Sequence, residues 1–175
     1  VNVSEPPEVS YEGVYEVYED SSYSGVITVF DPDMYDTVTT RIVRLPAWMT
    51  ISNNKLTGVP ANKYVGVNHV ELIYTDRDSL RDTLAFQIMV INTNDKPVVI
   101  EGTLPDTLIE KEKYSVTIKI KDDDGDSVKV KNWISKSWIT INSVKATEKV
   151  NEWVASVTFS PVQKDTGLHE VKFEI

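Results

Sequence analysis

Cysteine is absent from this 175-residue chain, which excludes a disulfide framework, a thiolate zinc site and a cysteine nucleophile. Histidine is scarce, 2 in all, which argues against an imidazole-rich metal centre. No apolar run approaches the roughly 18 residues of a membrane span. The segment Val1 to Glu8 lacks the basic and apolar regions of a signal peptide, so the chain reads as soluble from birth or as an internal piece. Bases are also few: 18 Lys and Arg face 27 Asp and Glu, a net charge of −9. That balance repels a phosphate backbone and argues against general nucleic-acid binding.

What the chain does have is internal repetition. Pro7 matches Pro97 at a spacing of 90, Asp31 matches Asp122 at 91, and Trp48-Met49-Thr50-Ile51 matches Trp138-Ile139-Thr140-Ile141 at 90. Pro60 with Gly66 matches Pro161 with Gly167 at 101. The change of spacing places about 11 extra residues between Trp138 and Pro161, where Val144 to Asn151 reads as a longer polar hairpin tip. A length of 175 residues suits two domains of roughly 90 residues each.

Within each repeat the apolar residues have period two, the signature of half-buried strands. Tyr114, Val116, Ile118 and Ile120 alternate with polar neighbours, as do Trp153, Ala155, Val157 and Phe159. Val70, Leu72 and Tyr74 follow the same rule, then Leu84, Phe86, Ile88 and Val90. No stretch has a helical period. Short strands separated by Gly, Pro, Asn and Asp clusters predict an all-β fold of two tandem antiparallel β-sandwiches, residues 1–95 and 96–175. The joint falls at Asn92 to Pro97. After Gly66 two strands are expected, Asn68 to Thr75 and Asp82 to Ile91, but after Gly167 only Leu168 to Ile175. The second repeat thus reads as truncated, or as having its edge covered by a neighbour. Acids outnumber bases 14 to 6 over residues 1–95 and 13 to 12 over 96–175, so the excess acidity sits in repeat one.

The chemistry-bearing residues are the carboxylates. Asp122-Asp123-Asp124-Gly125-Asp126 follows a strand, with a weaker counterpart at Asp31-Pro32-Asp33-Met34-Tyr35-Asp36. Alternate aspartates in a turn can aim their oxygens at one point, as calcium with its 6 to 8 oxygen ligands requires. Further oxygen donors stand at Asn94, Asp95, Glu19, Asp20, Asp76 and Asp78. The competing reading is that these residues only form solvated turns. Trp48 and Trp138, flanked by polar residues, read as core anchors. Tyr11, Tyr15, Tyr18 and Tyr23 are strand formers that could also make a carbohydrate or protein surface. His69 and His169 have no nucleophile beside them, and the acidic loops look too solvated for glycosidase work. Asn2-Val3-Ser4 matches a glycosylation sequon.

The string Val90 to Pro97 resembles the joint between tandem cadherin-like repeats of bacterial surface proteins, and Lys121 to Val128 resembles their Asp-x-Asp-Gly-Asp loop. Leu45-Pro46-Ala47-Trp48, then Gly58-Val59-Pro60, then Gly66 and a strand ending Thr75-Asp76, is similar to the dystroglycan-type cadherin-like pattern. The resemblance implies an immunoglobulin-like sandwich that serves as a spacer or adhesive module, often with calcium at the joint. It implies Asn94, Asp95, Asp122 and Asp124 as ligands between the repeats, with Glu19 reaching from repeat one, and Asp31, Asp33 and Asp76 facing a preceding repeat. Asp126 completes the acidic loop. Three positions depart from the pattern: Asn92 stands where animal cadherins carry an acid, Met34-Tyr35 replaces a Gly, and repeat two has no counterpart of Asp76.

The expected function is a non-catalytic extracellular or cell-surface stalk or adhesion segment whose joint is stiffened by calcium. Its expected partners are other repeats of the same protein and a cell-surface protein or glycan. Without cation, Glu19, Asp95, Asp122, Asp124 and Asp126 would repel across the joint. The alternative is an accessory carbohydrate-binding module of a secreted polysaccharide-degrading enzyme.

Overall fold

The structure, a computed structural model, describes residues 4–134 and 136–175; the sequon residues Asn2 and Val3 lie outside the described residues. The chain divides into two compact units, Val1–Thr93 and Asn94–Ile175, each an all-β sandwich.

Unit one has two four-stranded sheets. The first has the order β1-β3-β6-β5, with β1 at Glu8–Gly13, β3 at Tyr23–Phe30, β5 at Met49–Ser52 and β6 at Lys55–Gly58. The second has the order β2-β8-β7-β4, with β2 at Glu16–Tyr18, β4 at Thr39–Arg44, β7 at Gly66–Thr75 and β8 at Arg81–Ile91. All pairings are antiparallel except β2 with β8, which is parallel. The alternation read in the sequence is realised as burial: Tyr23 and Ile27 of β3, Val70, Leu72 and Tyr74 of β7, and Ile88 and Val90 of β8 meet Trp48, Met49 and Leu56 in one core. The turn between β5 and β6 is Asn53-Asn54, both at positive φ, as a two-residue hairpin matching strand twist needs.

Unit two repeats the first sheet as β9-β10-β13-β12, with β9 at Val98–Glu101, β10 at Tyr114–Lys121, β12 at Ile139–Ala146 and β13 at Glu152–Phe159. Its second sheet has two strands, β11 at Lys131–Asn132 and β14 at Phe173–Glu174. The core holds Ile118, Ile120, Trp138, Ala155, Val157 and Phe159. The expected polar tip at Val144 to Asn151 is corrected in part: Val144, Lys145 and Ala146 belong to β12, so the insertion mainly lengthens the arms of the β12–β13 hairpin. The expected strand Leu168 to Ile175 is cut to β14, because a strand with a partner on one edge only has fewer ladder bonds to hold it.

Landmark hydrogen bonds superimpose the repeats. Asp20 N donates to Pro60 O and Lys111 N to Pro161 O, each at 2.7 Å, and both donors sit at positive φ. Trp48 and Trp138 are core anchors, each buried. Trp48 Nε1 donates to Asn68 Oδ1 at 3.0 Å, whereas Trp138 meets His169 edge-on, centroids 5.6 Å apart. The tyrosine series divides: Tyr23 is buried, Tyr11 stacks on Phe86 at 4.2 Å, and Tyr15 and Tyr18 are exposed. Tyr11 and Tyr23 share a hydroxyl–hydroxyl hydrogen bond. The Tyr11 ring lies over the paired Gly13 and Gly25, where a Cβ would collide with it.

Leu72→Ala, at a fully buried site, is expected to lower unit-one stability by about 2–5 kcal/mol in urea unfolding. Phe173→Ala, at the equivalent but half-buried site, should cost clearly less despite the larger side chain; equal losses would contradict the difference between the sheets. Burial pushes the phenols of Tyr11 and Tyr23 up from the ordinary tyrosine value. A raised value in the folded state gives a contribution complete below about pH 10 and lost as pH climbs through and beyond it. Tyrosine absorbance should therefore show Tyr11 and Tyr23 ionising only together with unfolding.

Candidate metal centre

Two loops meet at one end of unit one: residues 31–36 after β3, and residues 76–80 between β7 and β8. Each is shaped by its own aspartates. Asp31 Oδ1 accepts from Asp33 N at 2.9 Å, and Asp76 Oδ1 accepts from Leu80 N at 2.8 Å. Tyr35 and Ser79 supply the left-handed residues that turn the loops back, at φ 68° and 72°. The result brings carboxylate oxygens of Asp31, Asp36 and Asp76 within 4.8 Å of one another. Asp76 is 6% exposed.

One oxygen of each loop-forming aspartate is thus occupied and the other is not. Asp31 Oδ2 and Asp76 Oδ2 are buried without a hydrogen-bond partner. An unsatisfied buried acceptor costs about 1–3 kcal/mol, more when charged, and three carboxylates at this range repel. A cation offsets both terms. Two ligands on calcium at 2.3–2.6 Å can stand up to about 5 Å apart, so the cluster suits one ion, with carbonyls and water filling the remaining positions. The donor set is all oxygen, which fits a hard cation.

Of the other expected ligands, Asp33 lies in the same loop as Asp31 and Asp36. Its Oδ2 accepts from Glu5 N at 2.8 Å and tethers the entering chain. Asp124 does the same in unit two, its Oδ2 accepting from Asp95 N. Asn94 is exposed and donates to Asp95 O at 3.0 Å. Asp122, 2% exposed, accepts from Asp126 N at 3.1 Å and closes the loop across Gly125. Asp123 pairs with Lys121. Glu19 lies at the opposite end of unit one, where β8 finishes. Its Oε1 accepts from Thr93 N at 2.7 Å, and its buried Oε2 is unpartnered. The sequence reading named Asp36 within its cluster but not as a ligand; the signal was the odd spacing from Asp33, which the left-handed Tyr35 converts into convergence. His169 Nε2 donates to Asp165 O at 2.7 Å.

Residues 6–91 match the family model described as "Putative Ig domain". The first repeat is immunoglobulin-like. No curated protein matches the chain. Similar solved structures include the titin domains Z1Z2 in complex with telethonin, at 12% identity over 98% of this chain and 94% of that one, TM-score 0.35. Another is a Bacteroides ovatus protein of a mixed-linkage glucan utilization locus, SGBP-B, in complex with a heptasaccharide, at 14% identity over 98% and 44%, TM-score 0.41. A third is the extracellular cadherin domains 1–4 of protocadherin gamma B7, at 16% identity over 96% and 44%, TM-score 0.42. Among the described residues, no helix is long and apolar enough to cross a membrane.

Asp36→Asn removes one of three converging charges. In chelator it should raise unit-one stability by roughly 1 kcal/mol; a loss of stability would mean that the three carboxylates do not repel.

Proposed function

We propose that the chain is a non-catalytic, tandem immunoglobulin-like surface module that takes calcium in the acidic loops at the ends of its units and serves as a spacer or adhesion segment. The observation that carries this reading is the pair of buried, unpartnered oxygens of Asp31 and Asp76 facing a cluster completed by Asp36. Those three residues would hold the ion. Asp33 would fix the loop by tethering Glu5. Bound calcium supplies positive charge, which offsets the repulsion and stiffens the loop.

Glu19 supports the same chemistry at the other end of unit one, through its own orphaned oxygen. In unit two, Asp122, Asp124 and Asp126 form the corresponding loop, to which Asp95 is tied through its N–H on Asp124; these residues, with Asn94, are proposed as its ligands. A kinship with dystroglycan-type cadherin-like repeats, an extracellular or cell-surface location, and partners that are further repeats, a surface protein or a glycan belong to this reading. A non-catalytic role is supported by the acidic groups being engaged in closing loops and by His169 being committed to a carbonyl.

A second reading, glycan binding as an accessory module, draws on the exposed rings of Tyr15 and Tyr18 beside Val14 and Ile91. Glycan binding that survives chelation would favour it.

Thermal unfolding in millimolar calcium, in magnesium and in chelator is the test. At a calcium concentration about 100 times the dissociation constant the gain is about 2.7 kcal/mol, a rise of several degrees. Asp76→Asn should remove most of the unit-one share. Identical curves in all three conditions would leave the aspartates as turn formers.

A further inference from the structure

The second sheet of unit two lacks what the second sheet of unit one has in its middle. In unit one β8 pairs antiparallel with β7, so that Leu84 stands opposite Leu72, Phe86 opposite Val70 and Ile88 opposite Asn68. On its other edge β8 pairs parallel with β2. At the repeat spacing of 101, Val70, Leu72 and Tyr74 correspond to Val171, Phe173 and Ile175. The register confirms the correspondence, since Ile42 pairs with Leu72 and its equivalent Asn132 pairs with Phe173. Val70, Leu72 and Tyr74 are at most 1% exposed, whereas Val171 and Phe173 are half-buried and Ile175 is exposed.

The segment equivalent to β2 shows the same deficit. The shared hydrogen bond to Pro60 and Pro161 sets the spacing here at 91, so Glu16–Tyr18 corresponds to residues 107–109, with Leu108 in the place of buried Val17. Residues 107–109 form no strand. One cause covers both facts: among the described residues, β2 pairs with β8 alone and, in unit two, nothing stands where β8 stands. Two open cavities mark the gap. One of about 320 Å³ is lined by Leu104, Leu108, Trp138, Phe159 and Val171. The other, about 260 Å³, is lined by Ile118, Ile120, Val130, Val171 and Phe173.

We infer that unit two is completed by one further strand of the β8 type, from this protein's own repeat pattern, inserted between residues 107–109 and 167–175. The strand runs antiparallel to β14, and its alternate apolar side chains fill both cavities. Main-chain pairing gives such an insertion its affinity, and the phase of the alternation gives its selectivity, since a one-residue slip turns every apolar group to solvent. Unit one supplies the specification of the occupant: about eleven residues, apolar at the positions of Leu84, Phe86, Ile88 and Val90.

A synthetic peptide with the sequence of Arg81–Ile91 is titrated into the full chain, with a control peptide of the same composition whose alternation is shifted by one residue. Hydrogen exchange and thermal unfolding are the readouts. The in-phase peptide should slow exchange at 104–110 and 167–175, raise the unit-two transition by several degrees, and bind at least about tenfold more tightly than the control. A second variant covers peptide aggregation: the sequence of residues 76–91 is fused after Ile175, so that the strand arrives through its own turn. The fused strand should protect the same two segments, and Phe86→Asp with Ile88→Asp made in the added copy only should abolish that protection. No protection from either form would overturn the inference, as would equal binding of the two peptides. So would a chain that sediments as a dimer with 167–175 already protected, because the occupant would then be a second copy of the existing edge.

Discussion

The pairing of β8 with both β7 and β2 is the constraint on which the rest of the second sheet depends. With eleven residues and an apolar side chain at every second position, it covers Val70 and Leu72 and gives β2 its only ladder partner among the described residues. The two units amount to a natural comparison. With the strand present, the equivalents of β7 and β2 are a ten-residue strand and a buried valine. Without it, they are a two-residue strand and a segment with no regular structure. Strand propensity does not account for this, because Val171-Lys172-Phe173-Glu174-Ile175 alternates as well as any segment of the chain. Pairing on the second edge does.

The acidic loops obey a different economy. Asp31 and Asp76 each give one oxygen to a backbone N–H of their own loop, and the other is buried and unpartnered, next to Asp36. Asp33 and Asp124 each use an oxygen to tie down the chain that enters the unit. Turn formation and cation binding are therefore not rival explanations of the same residues. The turn uses half of each carboxylate, and the unused half is what a hard cation can take.

Much of the fold was legible because it rests on local pattern. The period of two in Tyr114 to Ile120 and Leu84 to Val90, and the matched Trp48 and Trp138, located strands and cores directly. The less accurate readings concern pairing between distant segments. Alternation in Val144 to Ala146 extends a hairpin arm, yet the segment's polarity looks like a loop; alternation in Leu168 to Ile175 looks like a strand that has too little to pair with. In the candidate site, Asp31 and Asp76 could be named from the turns they form. Asp36 could not be singled out, because its convergence depends on a left-handed Tyr35, a conformation uncommon for a bulky residue. The resemblance to cadherin-like repeats groups Asp33 with the ligands, whereas its hydrogen bond to Glu5 is a contact between segments 28 residues apart that no local pattern shows.

What the repeats keep in common is backbone geometry, and what they vary is the chemistry hung on it. The bonds to Pro60 and Pro161, and the tethers from Asp33 and Asp124, are held while the partner of the core tryptophan changes from Asn68 to His169. The same freedom acts on the acidic loops. At a spacing of 91 the counterpart of Asp36 is Ser127, and the loop's left-handed residue moves from Tyr35 to Gly125, the counterpart of Met34. A repeat can therefore retain its Asp-x-Asp signature and its tethering bond while losing the third converging carboxylate. The three-carboxylate convergence of unit one is in this way set by one residue's position on a turn and by β7 and β8 together holding the loop that carries Asp76, whereas the acidic loop of unit two is built from Asp122, Asp124 and Asp126.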